Sequence, residues 1–186
     1  MGAFFDPDRH DPADFATSAW EYGIEYGMSM YLMQYNVRLM NIATLYQVWE
    51  QQIRSFLYEE LTRHHRFEIS KGKYLTIKEF CAKGFQDIKD VFKQLDTNFE
   101  LFISYSKINE LRLLANVIKH GDGGSATQLK KLRPDIFDSS SGIDKMELYK
   151  TTLNEVVLEV DDGELREYGD ALLEFWDEIP ERMHLK

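Results

Sequence analysis

The sequence predicts an all-α fold: a single-domain helical bundle opened by one or two very long N-terminal helices, with at most a short β segment near residues 154–160. Three observations carry that reading. Apolar residues recur at steps of three and four along most of the chain, the spacing of one face of a helix. No proline interrupts the pattern from Ser18 to Arg66. Four prolines and eleven glycines in 186 residues leave little chain for loops. That length suits one domain with a substantial core. Residues 1–186 are therefore expected to form a single helical domain, with 1–16 as an N-terminal arm and 135–186 as its acidic C-terminal part.

The arm carries the turn-forming pairs Asp6-Pro7 and Asp11-Pro12. Beyond it Trp20, Ile24, Met28, Tyr31, Tyr35, Leu39, Ile42, Tyr46, Trp49, Ile53, Phe56 and Leu61 share one side of a helix. Gly23 and Gly27 weaken its first turns, which leaves one long helix or two in line. Between Met28 and Tyr35 the apolar residues spread beyond one stripe, the mark of a deeply buried segment or of a contact surface, and burial is the expected one. His64-His65 closes the element. Adjacent histidines diverge on a helix, whereas ligands want a spacing of three or four, so a basic helix end is expected and not a metal pair.

Thr76-Ile77-Lys78-Glu79 reads as a capping box, opening a helix with Phe80, Phe85, Ile88, Val91, Phe92 and Leu95 on one face and an end near Asp96. Cys81, flanked by phenylalanines, is expected to be a buried thiol; as the sole cysteine it can form neither an internal disulfide nor a thiolate metal cluster. After a turn at Asp96–Asn98, the segment Ser106–Gly121 repeats the helical spacing through Ile108, Leu111, Leu114, Ala115 and Ile118, and Lys119-His120-Gly121 is a strong stop. The loop Gly121-Asp122-Gly123-Gly124-Ser125 lacks the Gly-Lys-Ser/Thr ending of a phosphate loop. Ser125 is expected to cap a short helix through Leu132, closed by Pro134, and Asp138–Gly142 forms a polar loop. Asn154–Val160, rich in branched residues, is the β-like stretch. A last helix from about Gly163 to Ile179 turns Leu165, Tyr168, Leu172, Phe175 and Trp176 inward and leaves Glu164, Glu167, Asp170, Glu174, Asp177 and Glu178 for its outer face.

The formal charge of −10 is unevenly placed. Residues 1–134 balance 17 acidic against 17 basic groups, whereas residues 135–186 hold 15 acidic and five basic ones. Such a segment repels nucleic acid and attracts basic protein. With no run of apolar residues long enough to span a bilayer, and an N-terminus without the basic start of a signal peptide, the expected address is cytoplasmic. Asp6 also stands where a myristoylation signal wants Ser or Thr. No cofactor and no metal are expected.

The stretch Glu110-Leu111-Arg112-Leu113-Leu114-Ala115-Asn116-Val117-Ile118-Lys119-His120-Gly121 resembles the signature helix of the HEPN superfamily. Those helical bundles include many RNases of toxin–antitoxin and phage-defence systems, in which an Arg, commonly followed by Asn, precedes a His with four to six residues intervening. The resemblance implies metal-independent RNA cleavage at a dimer interface, with Arg stabilising the phosphorane-like charge and His moving protons. His120 matches the His and Asn116 the residue after the Arg. The Arg position itself falls on Ala115, and the nearest substitute, Arg112, leaves seven intervening residues. If the chain were such an enzyme, His120, Asn116 and Arg112 would carry it.

In size, helical build, acidity and lack of catalytic residues the chain also resembles, in type, the all-helical immunity proteins of bacterial contact-dependent inhibition systems. The leading expectation is accordingly a binding protein and not an enzyme: an immunity or antitoxin-type partner that occludes a basic toxin or nuclease domain. Its expected surface is Asp161, Asp162, Glu164, Glu167, Asp170 and Glu174. The alternatives are a HEPN-like RNase and a catalytically dead HEPN-like sensor or scaffold. Membrane and nucleic acid are not expected as partners, and a homodimer is compatible with either reading.

Overall fold

A computed structural model describes residues 11–63, 68–70, 73–74, 76–82, 84–137, 142–181 and 183. The spine is α1, Pro12–Thr62, an unbroken helix of 51 residues and about 76 Å at 1.5 Å per residue. It begins earlier than the sequence pattern implied. Asp11 caps it by accepting from the Ala13 amide at 2.8 Å, and Pro12 takes the first turn, where its missing N–H costs nothing. Residues 12–16 of the expected arm thus belong to α1. Gly23 and Gly27 do not break it.

Burial along α1 starts at Tyr35 and continues through Leu39, Ile42, Tyr46, Trp49, Ile53, Leu57 and Leu61. The expected burial of the Met- and Tyr-rich stretch is overturned: of its residues Tyr35 is buried and Leu32 packs against the core, while Met28, Tyr31 and Met33 are exposed. The reason is geometric. The helix outruns the elements that cover it: its first 20 residues contain no buried side chain, and Met28 and Tyr31 only line an open cleft against Ile143, Leu148 and Tyr149.

A small antiparallel hairpin, β1 (Glu68–Ser70) with β2 (Lys73–Tyr74), follows α1. His64 and His65 lie outside the described residues. Thr76 opens α2 (Ile77–Cys81) with the expected reciprocal capping box. The single helix expected from there to Asp96 is two: α2 ends at Cys81 with Ala82 as its C-cap, and α3 (Phe85–Gln94) starts anew on Gly84. Asp87 accepts from the Gly84 amide at 2.7 Å and anchors that second start. Phe80 is fully buried, and Cys81, one residue round the short helix, is exposed; the thiol expected in the core faces solvent.

A 3-10 turn at Phe99–Leu101 leads to α4 (Tyr105–His120), the central helix, packed against α1, α5 and α7. Its first turn has no side-chain cap of its own. Glu178, from the end of α7, supplies one: its carboxylate accepts from the Ile103 amide at 2.5 Å, the Ser104 amide at 3.1 Å and the Ser104 hydroxyl at 2.6 Å. A negative group there also suits the helix dipole. At the other end Gly121 has φ +70, and a Cβ would sit 2.4 Å from the Lys150 carbonyl oxygen, so the position accepts glycine alone.

Helix α5 spans Gly124–Leu132 and starts at Gly123, so Ser125 lies inside it and does not cap it. A 3-10 turn at Pro134–Phe137, the short α6 (Lys145–Tyr149) and α7 (Asp162–Glu178) complete the chain. Of the expected polar loop at 138–142, residues 138–141 lie outside the described residues.

Near 154–160, where at most a short β segment is expected, no strand forms. Residues 156–160 have no regular secondary structure: Val157 and Leu158 donate their amides to the buried hydroxyl of Tyr35 at 3.2 and 3.1 Å, and Glu159 donates to the Ile136 carbonyl. A phenol takes the place of a ladder, and Val157, Leu158 and Val160 are buried beside it. Aromatic rings close the core where α1, α3, α4 and α7 meet, with Phe175 edge-on to Trp49 at 5.2 Å and to Phe99 at 5.3 Å. Apart from the hairpin the described fold is all-α, and among the described residues no helix is long and apolar enough to cross a membrane.

Candidate functional site: the acidic face of the last helix

Helix α7 is launched by a second capping box. Asp161 accepts from the Glu164 amide at 3.0 Å, and Glu164 accepts from the Asp161 amide at 3.1 Å. Tyr168, Leu172 and Phe175 then fix one face in the core. The opposite face, by the 100° step of a helix, receives Glu167, Asp170, Glu174 and Asp177, and all four are exposed.

Folding changes the charge of this surface. Asp162 pairs with Arg38 at 2.7 Å, across 124 residues of sequence. Glu167 pairs with Lys107 at 2.8 Å, and the Lys107 ammonium holds its carboxyl below the usual range. Glu164 turns inward to Arg133 at 2.5 Å. Basic groups from the neutral part of the chain thus meet acids of the C-terminal part. Three of the six expected surface residues are partly neutralised within the chain, and Glu178 is spent on capping α4. Asp170, Glu174 and Asp177 have no ion-pair partner among the described residues, and the Asp161 carboxylate accepts from the Glu164 amide.

Beside that face lies a charge network that sequence reading missed. Glu110, buried within α4, accepts from Arg133 at 2.5 Å, from the Tyr168 hydroxyl at 2.7 Å and from Lys107 at 3.2 Å. Arg133 also holds Asp135, its Nε and Nη2 both donating to that carboxylate, at 2.6 Å from Nη2. Those bonds lower the Asp135 carboxyl and raise the guanidinium, while burial next to Glu110 pushes the Tyr168 phenol up. The network locks α4, the Pro134–Phe137 turn and α7 together. The sequence offers little sign of it, because Glu110 stands among the polar Lys107, Asn109 and Arg112 and reads as an ordinary surface acid.

The HEPN-like residues are not assembled. His120 is exposed in the last turn of α4, and Ala115 is fully buried. Arg112 lies eight residues back, about 12 Å along the axis. Its guanidinium stacks 4.8 Å from the Phe85 ring centre and donates to Asn109 at 2.9 Å. Asn116 is half-buried one turn before His120. Arg112 is thereby directed to Phe85 and Asn109 and not to His120, and among the described residues no group of three or more His, Cys, Asp or Glu side chains is placed to hold a metal ion. Compared with family models, curated proteins and solved structures, the chain matches none.

Proposed function

We propose that the chain is an immunity or antitoxin-type binding protein that occludes a basic toxic enzyme, a nuclease being the class whose phosphate site best suits an acidic plug. The observation that carries this reading is the face of α7 on which Asp170, Glu174 and Asp177 stand exposed with no ion pair among the described residues. The acids nearer the body are engaged by Arg38, Lys107 and Arg133, which fixes the helix rigidly and leaves these three to an outside partner. A preorganised row of carboxylates speeds association with a basic surface and costs little side-chain ordering.

The test is protection of growth. The neighbouring gene, expressed alone, should arrest cells, and co-expression of this chain should restore them. The variant Asp170→Lys/Glu174→Lys/Asp177→Lys, with an unchanged far-UV spectrum, should fail to protect. Full protection by the reversed variant would remove this face from the function. RNA cleavage by the purified wild type that is lost in His120→Ala would overturn the binding reading in favour of an RNase.

A further inference from the structure

The face of α1 that points away from the body is as distinctive as the face that is buried. Between Glu25 and Glu50 the helix carries one charged residue, Arg38, where the chain's average of 29% charged would place about seven. Arg38 is committed to Asp162 and to the Val160 carbonyl. Opposite the buried Leu39 and Ile42 runs a stripe of Tyr22, Tyr26, Met33, Val37 and Met40, stepped mostly by threes and fours. These side chains are 61, 69, 52, 51 and 58% exposed. A solvated helix face in so charged a chain would carry Lys, Glu or Asp; this one carries none.

We infer that this stripe is the seam of a homodimer, in which two copies of α1 pack antiparallel about a two-fold axis near residues 31–32. The area fits. The five side chains expose on the order of 600 Å², before their neighbours are counted, against about 800 Å² per partner in a standard interface. Charge chooses the occupant. A basic partner would find no carboxylate on the stripe to pair with, whereas a second copy brings an equally neutral surface. Because α7 packs against the other side of α1, the pairing also holds the two acidic faces apart. Antiparallel order sets Tyr22 across from Met40 and Tyr26 across from Val37, ring against thioether or branched chain, with the helix dipoles opposed.

The same pairing accounts for the free end of α1. Residues 12–31 contain no buried side chain and include Gly23 and Gly27, each costing about 1 kcal/mol relative to alanine. A helix of that length is marginal in water without packing. In the antiparallel dimer it lies along residues 31–50 of the second copy, whose own body holds them in place.

Sedimentation equilibrium at micromolar concentration tests this. The wild type should have twice the 21.9 kDa chain mass. Met33→Glu/Val37→Glu should give a folded monomer, since both side chains are exposed and their loss leaves the core intact. On a Cys81→Ser background, Tyr22→Cys/Met40→Cys should oxidise to a covalent dimer. Tyr22→Cys alone should not, because the two-fold separates its two copies by about 27 Å, far beyond disulfide reach. A monomeric wild type overturns the proposal, as does a dimer that survives the glutamates. Cross-linking of Tyr22→Cys alone overturns the antiparallel seam. A monomer that binds phosphatidylglycerol vesicles through the stripe assigns the face to a lipid surface instead.

Discussion

Replacing Arg133 by Met examines the network that positions α7. Its guanidinium reaches Glu110 and Glu164 at 2.5 Å and Asp135 at 2.6 Å, and Glu110 is only 8% exposed. Breaking a fully buried pair costs about 3–5 kcal/mol, because the remaining charge stays desolvated. Here Glu110 keeps Lys107 and the Tyr168 hydroxyl, and the Arg133 side chain is 23% exposed. The expected loss is therefore about 2–3 kcal/mol, discounted from that range. For a chain of this size it corresponds to a fall in Tm of about 4–12 °C. Urea unfolding followed by far-UV circular dichroism gives the free energy directly. Arg133→Lys should fall between the two, since an ammonium cannot hold Asp135 in two-pronged fashion. The cycle with Glu110→Gln should show a coupling above about 1 kcal/mol. A loss below about 0.5 kcal/mol for Arg133→Met, the ordinary scatter of surface changes, would refute the reasoning.

Two further outcomes follow from the same structure. Gly121→Ala should destabilise by more than about 1 kcal/mol, because it adds a Cβ against the Lys150 carbonyl at a positive φ; a Tm equal to wild type would contradict the close approach. Stability should also fall in acid. Arg133 lowers the Asp135 carboxyl and Lys130 lowers that of Asp144; at Glu178 burial opposes the shift, but bonds from Ser104 and the Ile103 amide outweigh it. Groups with lowered folded pKa stabilise above their unfolded values, about 4, and lose that contribution as pH falls through the folded ones. The Tm should be flat from neutral pH to about 5 and drop below 4, and a Tm that holds or rises there would be inconsistent with these bonds.

What the sequence made legible was local. The three-and-four spacing of α1, the Thr76–Glu79 box and the stop at Gly121 each depend on residues within a turn or two, and each has its structural counterpart. What it hid was decided at a distance. Cys81 was expected inside because Phe80 and Phe85 lie near it, yet on α2 it stands one step round from the buried Phe80 and faces solvent. The branched residues of 156–160 have strand composition, but a tyrosine hydroxyl from α1 binds their amides. The acidic surface suffered most. Six carboxylates looked alike in sequence, and cations 31 to 124 residues away engage three of them. Likewise, the Met- and Tyr-rich stretch has the composition of a core, and only the reach of the covering helices shows that it is surface.

The central claim is that Asp170, Glu174 and Asp177 recognise a basic enzyme. Its most direct measurement is the dissociation constant for the enzyme against which the chain protects in the growth assay, titrated calorimetrically at rising salt. Binding should weaken at least tenfold from about 0.05 to about 0.5 M salt, as screening shortens the reach of the carboxylates, and the triple lysine variant should lose both the affinity and the salt dependence. Salt-insensitive binding that the three lysines leave unchanged would contradict the account.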